Sequence, residues 1–365
     1  MNKASTEYGV SPEKYYLKIQ PPKVDYLPPE PKNYNPSIGI IGTGGISEYH
    51  LKNYQDCGYR VVALSNRTPA KAEVLRDKFF PEASIHQDYR DILKMDEIEV
   101  VDVTPHPLDR LPILHDCLDA GKHVLTQKPF VLDLEDAKKL VDVANQKKVK
   151  LAVNQNGRWA PHFSYIRNAV RQGLIGEVTS IDFCLQWDQT WIKGIQSFEK
   201  MEHLVLFDFG IHWFDITACI MEEQKPKSIF ASALHHARQV YNPPALASVI
   251  IEYPQTQVRI SFNAHCTMGE EDVTTIVGTK GTLRSRGHGL NEQPEIAVHL
   301  ENGSVRVPLK GCWFESGFKG SMGELLSAIE EDRSPYHSAY NNLKTLNLCF
   351  AAQKSTVKGR PVQFE

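Results

Sequence analysis

The sequence predicts an α/β fold in which a doubly wound parallel sheet is followed by a second α/β domain with a large, mostly antiparallel open sheet. Between residues 37 and 156, short apolar runs alternate regularly with segments of helical apolar spacing, as in repeated strand–helix units. From residue 178 to about 309, most segments look like strands separated by turn residues. These patterns predict an N-terminal arm and two domains, at residues 1–36, 37–156 and 157–365.

Composition indicates an ordinary globular protein with room for two cores. The 365 residues carry 41 basic and 44 acidic side chains, and this net charge of −3 argues against a nucleic-acid binder. The seven cysteines are scattered without a C-x-x-C pair, which favours reduced thiols over disulfides or a zinc site. The N-terminus lacks the apolar segment of a signal peptide, and no apolar run is long enough to span a bilayer. We therefore expect a cytoplasmic protein without a membrane partner.

The first 36 residues interleave seven prolines with five tyrosines. Repeated proline is excluded from helix and sheet interiors and favours extended backbone. Disordered tails are usually poor in aromatic residues, so the tyrosines argue against a passive leader. The composition favours an extended arm that lies on a folded surface, either of its own chain or of a partner, near a subunit contact or a cofactor site.

Apolar spacing and turn residues locate the elements of both domains. In the first domain we predict strands at 37–41, 60–65, 100–103, 123–126 and 150–153, and helices at 69–80, 88–95, 111–120 and 134–146. In the second domain we predict helices at 161–172, 204–221, 321–331 and 343–355, and strands at 180–187, 228–234, 247–253, 257–264, 272–277 and 296–300.

A glycine turn follows the first strand and precedes a helical apolar spacing. Gly42 allows the tight turn, Gly44 lets the backbone approach a pyrophosphate, and Ser47 is small enough for close packing of helix and strand. The helix N-terminus adds free N–H groups for the phosphates. Strand, glycine turn and helix in this order predict a Rossmann dinucleotide site that also includes Thr43, Gly45 and Ile46.

Two further turns, Thr104-Pro105 and Gln127-Lys128-Pro129, follow strands of the same sheet. Because the carboxyl ends of parallel strands open into the ligand crevice, both turns would lie beside a bound nicotinamide. Pro129 stiffens the backbone that holds Lys128, unlike the backbone of a mobile surface loop. The alternatives are a plain turn at Thr104 and a solvated lysine at position 128.

Asp208 and His212 are four residues apart and would share one face of a helix at 204–221, with Asp215 on much the same side. Histidine is the usual general base for a hydroxyl proton, and a neighbouring carboxylate holds its tautomer. The alternative is a helix cap at Asp208 with a core histidine. No third ligand is spaced to join Asp208 and His212 around a metal ion, so we expect none.

Taken in order, these groups resemble the glucose–fructose oxidoreductase/inositol dehydrogenase family, Gfo/Idh/MocA. The resemblance runs from residue 37 to the C-terminus and includes the three turns above and the segments AGKHV (120–124), GxxGxV (173–178), DxGxHxxD (208–215), GTKGT (278–282) and GRPV (359–362). It implies NAD or NADP as cofactor, a sugar or polyol substrate oxidised at a hydroxyl, and a homo-oligomer with contacts through the open sheet.

By position, the resemblance implies Lys128, Asp208 and His212 as catalytic and substrate-facing residues, with Asp208 orienting His212. Residues 154–159 match a segment near the substrate, which implies that Asn156, Arg158 and Trp159 bind substrate. Trp187 joins this set, because sugars stack on aromatic rings. Gln127 replaces the glutamate usual at the nicotinamide ribose, and its amide can still hydrogen-bond ribose hydroxyls.

The end of the second strand, Ser65-Asn66-Arg67, predicts the choice between NAD and NADP. Enzymes strict for NAD place a carboxylate there, about 20 residues past the glycine turn, for the ribose 2′-hydroxyl. Asn66 rejects neither cofactor, and Arg67 can pair with a 2′-phosphate. We predict dual use with a lean to NADP.

Two other functions stay open at this point. One is a glycosidase that uses tightly bound NAD for transient oxidation, and the other is a non-catalytic regulator that binds a dinucleotide. The presence of Lys128, Asp208 and His212 argues against the regulator, because a sensor needs no base.

Overall fold

A computed structural model describes residues 17–364 of the chain, which form two sheets covered by helices. The first half contains β1 (Ser37–Ile41), α1 (Gly45–Asp56), β2 (Arg60–Ser65), α2 (Pro69–Phe79), β3 (Ser84–His86), α3 (Tyr89–Leu93), β4 (Ile98–Val103), α4 (Pro107–Asp119), β5 (His123–Gln127), α5 (Leu134–Lys147) and β6 (Leu151–Asn154). Its strands are all parallel, in the order β3-β2-β1-β4-β5-β6. The order reverses between β1 and β4, so the carboxyl ends of β1, β4 and β5 border one crevice.

Local sequence accounts for these elements. β1 is buried along its whole length, as expected of a parallel strand covered on both faces. Before α5, the Asp133 carboxylate accepts the backbone N–H groups of Glu135 and Asp136 and so caps the helix. Leu140 and Val141 lie on the buried face of α5, while its charged side chains face outwards.

The second half begins with a 3₁₀ turn, Asn156–Trp159. It continues with α6 (Pro161–Arg171), β7 (Val178–Gln186), α7 (Gln196–Glu199), α8 (Ile211–Ile220), β8 (Ser228–Leu234), β9 (Leu246–Glu252), β10 (Gln257–Asn263), β11 (Glu271–Gly278), β12 (Gly281–Gly287), β13 (Glu295–Leu300), β14 (Gly303–Pro308), α9 (Trp313–Glu330), α10 (Ala339–Lys358) and β15 (Val362–Gln363). Nine strands pair in the order β14-β13-β12-β11-β7-β10-β9-β8-β15, with β7 and β10 parallel and the other neighbours antiparallel. Buried and exposed residues alternate along β10, so one face of this sheet is open. The parallel sheet and the mostly antiparallel sheet together confirm the predicted fold class.

Two predicted helices differ most from the observed ones. The helix predicted at 204–221 is interrupted, because Val205–Phe209 forms a π-helical turn and α8 begins only at Ile211. The helix predicted to start at residue 321 begins at Trp313. A Cβ at Gly317 would lie 2.8 Å from the Asn156 carbonyl, and one at Gly320 would overlap Trp159. These glycines therefore serve close helix packing rather than a turn.

α9 also connects the two halves of the molecule. Met322, Leu325 and Leu326 of this helix pack in the same buried cluster as Ile38 of β1 and Leu51 of α1. The C-terminal segment therefore supplies part of the layer that covers the parallel sheet.

The chain ends reach both edges of the nine-stranded sheet. At one edge, the backbone N–H of Ile19 donates to Ser304 of β14 (3.2 Å), and Ser304 N–H donates to Leu17 (2.8 Å). At the other edge, β15 pairs with β8. Residues 17–36 of the predicted arm thus contact their own chain, and its first 16 residues lie outside the described part. Among residues 17–364, no helix is both long and apolar enough to cross a membrane.

Candidate active site

The glycine turn between β1 and α1 has the shape that a pyrophosphate requires. Gly42 has φ +91°, and a Cβ there would lie 2.8 Å from the Thr104 hydroxyl and 2.9 Å from the Pro105 ring. Only glycine fits this position without strain. At Gly44 and Gly45, in contrast, an added Cβ would meet no atom within 4 Å, so open space lies beside the N-terminus of α1. This space and the free N–H groups of the first helical turn fit a phosphate group.

The end of β2 lies beside the glycine turn. The Asn66 amide donates to the Thr43 hydroxyl (2.6 Å) and accepts from the backbone N–H of Thr68 (2.9 Å). The Arg67 side chain is 87% exposed, and its guanidinium pairs with Asp109 at 3.0 Å. Arg67 is therefore at the surface, and its charge has a partner.

Lys128 bridges the two halves of the molecule. Its Nζ donates to the backbone carbonyl of Asp208 (2.9 Å) and pairs with the carboxylate of the same residue (3.2 Å). Both side chains are largely buried. The end of β5 is thereby held against the π-helical turn before α8.

His212 lies on the first turn of α8, on the second wall of the crevice. Its ring packs edge-on against Trp313, with the centroids 5.2 Å apart, and the indole N–H of Trp313 donates to the Asn156 side chain (3.2 Å). The buried Nδ1 of His212 has no hydrogen-bond partner among the described residues. Burial and the charge of Lys128 lower the pKa of His212 well below its usual value. The ring is therefore neutral near pH 7 and able to accept a proton.

The predicted contact in which Asp208 orients His212 is absent, and this expectation was wrong. Both the carboxylate and the carbonyl of Asp208 face Lys128 instead. The π-helical turn is the physical reason, because residues four apart share a face only in a regular α-helix. Asp215 is also directed elsewhere, towards Arg158 and the Thr345 hydroxyl.

Three of the residues predicted to bind substrate lie in the interior. Arg158 is fully buried and forms a bidentate ion pair with Asp215, with N···O distances of 2.6 and 2.7 Å. Trp159 is buried under Gly320, and Trp187 is buried against Trp213. The structure does not bring these three to the crevice surface. Asn156 reaches the crevice only through Trp313.

Gln127 is directed inwards rather than towards a ribose. Its Oε1 accepts the backbone N–H of Lys128 (2.8 Å), so its NH₂ faces Nε2 of His50 at 2.9 Å. Nδ1 of His50 then carries the proton and donates to Asp102 (2.6 Å), which also accepts from the Tyr54 hydroxyl (2.6 Å). This buried network lies directly beneath the turn that carries Lys128.

Sequence reasoning missed this network and the buried Arg110. Asp102 stands inside a predicted buried strand, where an unpaired carboxylate is costly. Arg110 shares the helical face of Ile113, Leu114 and Cys117, so it places a cation among apolar positions. For Asp102, a charge at a position predicted to be buried was the available signal. Arg110 precedes the helix predicted at 111–120, and its place on the buried face follows only from the observed start of α4 at Pro107.

Comparison with known proteins identifies the family of this chain. Residues 37–155 match the model of an oxidoreductase family with an NAD-binding Rossmann fold, and residues 163–284 match the GFO/IDH/MocA C-terminal domain. Inositol 2-dehydrogenase of Rhizobium meliloti is 25% identical over 89% of this chain and 98% of its own. D-apiose dehydrogenase of Paraburkholderia graminis is 23% identical over 89% of both chains.

A solved structure has the same fold. It is an oxidoreductase from Agrobacterium radiobacter in complex with NAD⁺, L-tartaric acid and magnesium, with a TM-score of 0.82 and 20% identity. The match covers 90% of this chain and 98% of that one. The chain is therefore an oxidoreductase of the Gfo/Idh/MocA family, and its N-terminal half is the NAD-binding Rossmann domain of that family.

Proposed function

We propose that this protein is an NAD(P)-dependent dehydrogenase that oxidises a hydroxyl group of a sugar or polyol. The observation that carries the proposal is that Lys128, which Asp208 holds, lies close enough to His212 to contribute, after burial, to the lowered pKa of that ring. The names of the two relatives, inositol 2-dehydrogenase and D-apiose dehydrogenase, support a polyhydroxylated substrate. A bound nicotinamide dinucleotide supplies the hydride acceptor for such an oxidation.

The cofactor would be held by three groups of residues. The glycine turn, Gly42 to Ile46, would bind the pyrophosphate, and Asn66 and Arg67 would lie at the adenosine ribose. On the nicotinamide side, the residues are Thr104, Pro105, Gln127 and Lys128. Because Gln127 is bonded to the interior, we expect it to shape this side of the site rather than to bind ribose hydroxyls directly.

The proton and the charge of the reacting hydroxyl are assigned to two residues. His212 is neutral and takes the hydroxyl proton at Nε2, since Nδ1 is buried. Lys128 has three N–H donors, of which Asp208 takes two. The third donates to the substrate oxygen and stabilises the negative charge that develops there. Asp208 thus acts by fixing the direction of Lys128.

Two further proposals concern the oligomeric state, which the family resemblance implies, and the location in the cell. We propose a homo-oligomer whose subunits meet at the open face of the nine-stranded sheet. A cytoplasmic location is supported by the seven cysteines, all of which are free.

A screen of NAD⁺ and NADP⁺ reduction against aldoses, ketoses, inositols and sugar acids tests the proposal. We expect net NADH or NADPH with at least one of them, and a strong loss of that rate in His212→Ala with cofactor binding retained. The exposed histidine variant His235→Ala is the matched control. Cleavage of a glycoside without net NADH would instead indicate the NAD-dependent glycosidase. Cofactor binding with neither activity would indicate a regulator.

A further inference from the structure

Arg110 occupies an unusual position behind the crevice. It is only 1% exposed, and it extends from α4 towards the carboxyl ends of β4 and β5. Its Nε and Nη2 donate to the Pro105 carbonyl at 3.1 and 2.7 Å. Its Nη1 donates to the carbonyls of Gln127, Pro129 and Phe130. All five hydrogen bonds therefore end on the backbone of the two turns that border the crevice.

The guanidinium has no carboxylate partner. Among residues 17–364, none of the ion pairs within 4.0 Å involves Arg110, and Asp102 and Asp208 act on it only from a greater distance. Burial lowers the pKa of Arg110 to about 9. A buried cation without a counter-ion is costly, so its charge must be stabilised by the dipoles of the four carbonyls that accept its hydrogen bonds.

The two turns need such a connection. The pairing of β4 with β5 ends at Val103 and Thr126, so the Pro105 and Lys128 turns both extend beyond the last ladder pair. Arg110 joins them across this gap. The carbonyls of Gln127 and Pro129 belong to the residues on either side of Lys128. Arg110 therefore holds the backbone of Lys128, while Asp208 holds its Nζ.

We propose that Arg110 is a positioning residue: its guanidinium fixes the separation of the Thr104-Pro105 and Gln127–Phe130 turns and so places Lys128 and the nicotinamide side of the site. The inference rests on the proposed function, because it assigns these turns to the nicotinamide half of the cofactor. It differs from a general role in stability, since the glycine turn that would hold the ADP half makes no contact with Arg110 among the hydrogen bonds described above.

The chain contains a matched control in Arg167 of α6. Arg167 is also buried, and its Nε and Nη2 donate to a single backbone carbonyl, that of Arg158, at 3.2 and 2.6 Å. It lies in the second half and bonds neither of the crevice turns. Arg110→Lys and Arg167→Lys both keep the charge and lose the planar fork of donors. If Tm decreases by a similar amount in both variants, any further difference between them cannot be due to general destabilisation.

Binding of NADH and of ADP-ribose to the full-length chain isolates the contribution of the nicotinamide ring. ADP-ribose lacks only this ring, so it occupies the glycine turn and the Asn66-Arg67 segment, whereas NADH also places the ring beside the turns that Arg110 joins. We expect Arg110→Lys to weaken NADH binding about tenfold and ADP-ribose binding less than twofold, because one factor of ten corresponds to the loss of about one well-placed polar contact. Arg167→Lys should leave the ratio of the two Kd values unchanged.

A kinetic readout follows once the screen has identified a substrate. Arg110→Lys should lower kcat by about tenfold to a hundredfold with little change in the substrate KM, because a small displacement of the reacting groups slows the chemical step. Arg167→Lys should change kcat less than twofold.

Three results would overturn the inference. The first is an unchanged ratio of NADH to ADP-ribose Kd in Arg110→Lys. The second is an equal change of that ratio in both lysine variants. The third is failure of both Arg110→Lys and Arg110→Gln to fold while Arg167→Lys folds, which would make Arg110 purely structural. If the wild type binds neither NADH nor ADP-ribose, the proposed function fails as well, so the two failures are distinguishable.

Discussion

On the parallel-sheet side of the crevice, Arg110 directs all its hydrogen bonds at backbone carbonyls, whereas behind the opposite wall Arg158 meets both oxygens of Asp215. Both guanidiniums are equally buried. The Arg158–Asp215 pair is charge-matched and joins the 3₁₀ turn Asn156–Trp159 to α8. Arg110 instead leaves its charge beside turns that border open space. The difference indicates that the location of a buried arginine's acceptors, on the crevice turns or away from them, separates a role in the site from a structural role, whereas burial alone does not.

The largest effect on activity is expected from removal of Lys128, the cation that faces the crevice. Lys128→Ala should lower kcat by about 10²–10³-fold, as expected for a donor that stabilises charge on the reacting oxygen. It should also lower Tm, because the largely buried Asp208 carboxylate loses its partner. Asp208→Ala should lower kcat too, because it releases Nζ. Steady-state kinetics with the substrate from the screen, together with thermal unfolding, checks both effects.

The double variant Lys128→Ala/Asp208→Ala tests whether Asp208 acts through Lys128 or through His212. If Asp208 acts through Lys128, the double variant is no slower than Lys128→Ala alone. Losses that simply multiply would contradict this role. If instead the losses of Asp208→Ala and His212→Ala are not additive, Asp208 acts on His212, which the structure does not show.

Substitution of Arg158, behind the opposite wall, should change the stability of the fold rather than the rate of the reaction. Arg158→Met leaves Asp215 buried without its partner, so we expect the free energy of unfolding to fall by about 3–5 kcal/mol. Urea denaturation measures this change, and Arg158→Met combined with Asp215→Asn should recover part of it. The NADH Kd of the folded protein should stay within twofold of the wild type. A selective loss of NADH binding would give Arg158 a role in the site.

His162 extends the comparison to a buried group with no polar partner at all. Both ring nitrogens lack hydrogen bonds among the described residues, and burial lowers the pKa of His162 to about 3. As the pH falls, His162 therefore binds a proton in the unfolded chain before it does so in the folded chain. The stability due to neutral His162 is complete above about pH 6.5 and is lost as the pH falls below it.

His162→Phe should accordingly reduce the acid destabilisation. Between pH 6.5 and 5, we expect the wild type to lose about 2 kcal/mol of unfolding free energy that the variant retains. Urea unfolding at several pH values gives the two slopes, and the exposed His235→Gln is the control. Identical slopes for wild type and His162→Phe would show that His162 does not titrate on unfolding.

The smallest effect is expected at the mouth of the crevice, where the Arg67–Asp109 pair is exposed. Asp109→Asn frees Arg67 and removes a negative charge near the predicted 2′-phosphate position. The ratio of kcat/KM for NADP⁺ to that for NAD⁺ should rise about two- to fivefold, the range of an exposed ion pair. A wild type that prefers NAD⁺ by more than about a hundredfold would contradict the predicted dual use.

Local patterns were sufficient to predict the strand–helix alternation, the glycine turn and the mostly antiparallel second sheet. They failed where distant segments meet. The helix predicted at 321–331 begins at Trp313, and its Gly317 and Gly320 allow α9 to approach the Asn156–Trp159 turn. Arg158 was assigned to the substrate through the family resemblance. Its partner Asp215 lies 57 residues away in the sequence, so no local pattern predicts their ion pair.

The partner of Asp208 was missed for a local reason. One π-helical turn shifts the phase of the segment, so that Asp208 faces Lys128 while His212 starts a new helix. A π-helical turn shifts the apolar spacing by one residue, but residues 204–221 are apolar at most positions, so the shift cannot be recognised from the sequence.

The chain ends that contact β14 and β8 have a consequence for how copies of this protein can meet. An uncovered edge strand is a template on which another chain can add a strand, and repeated addition leads to fibres. The contacts of Leu17 and Ile19 with Ser304, and of β15 with β8, occupy backbone groups at both edges. Polymerisation strand by strand is thus obstructed at either end of the sheet, and proteolytic trimming of either terminus would remove that protection.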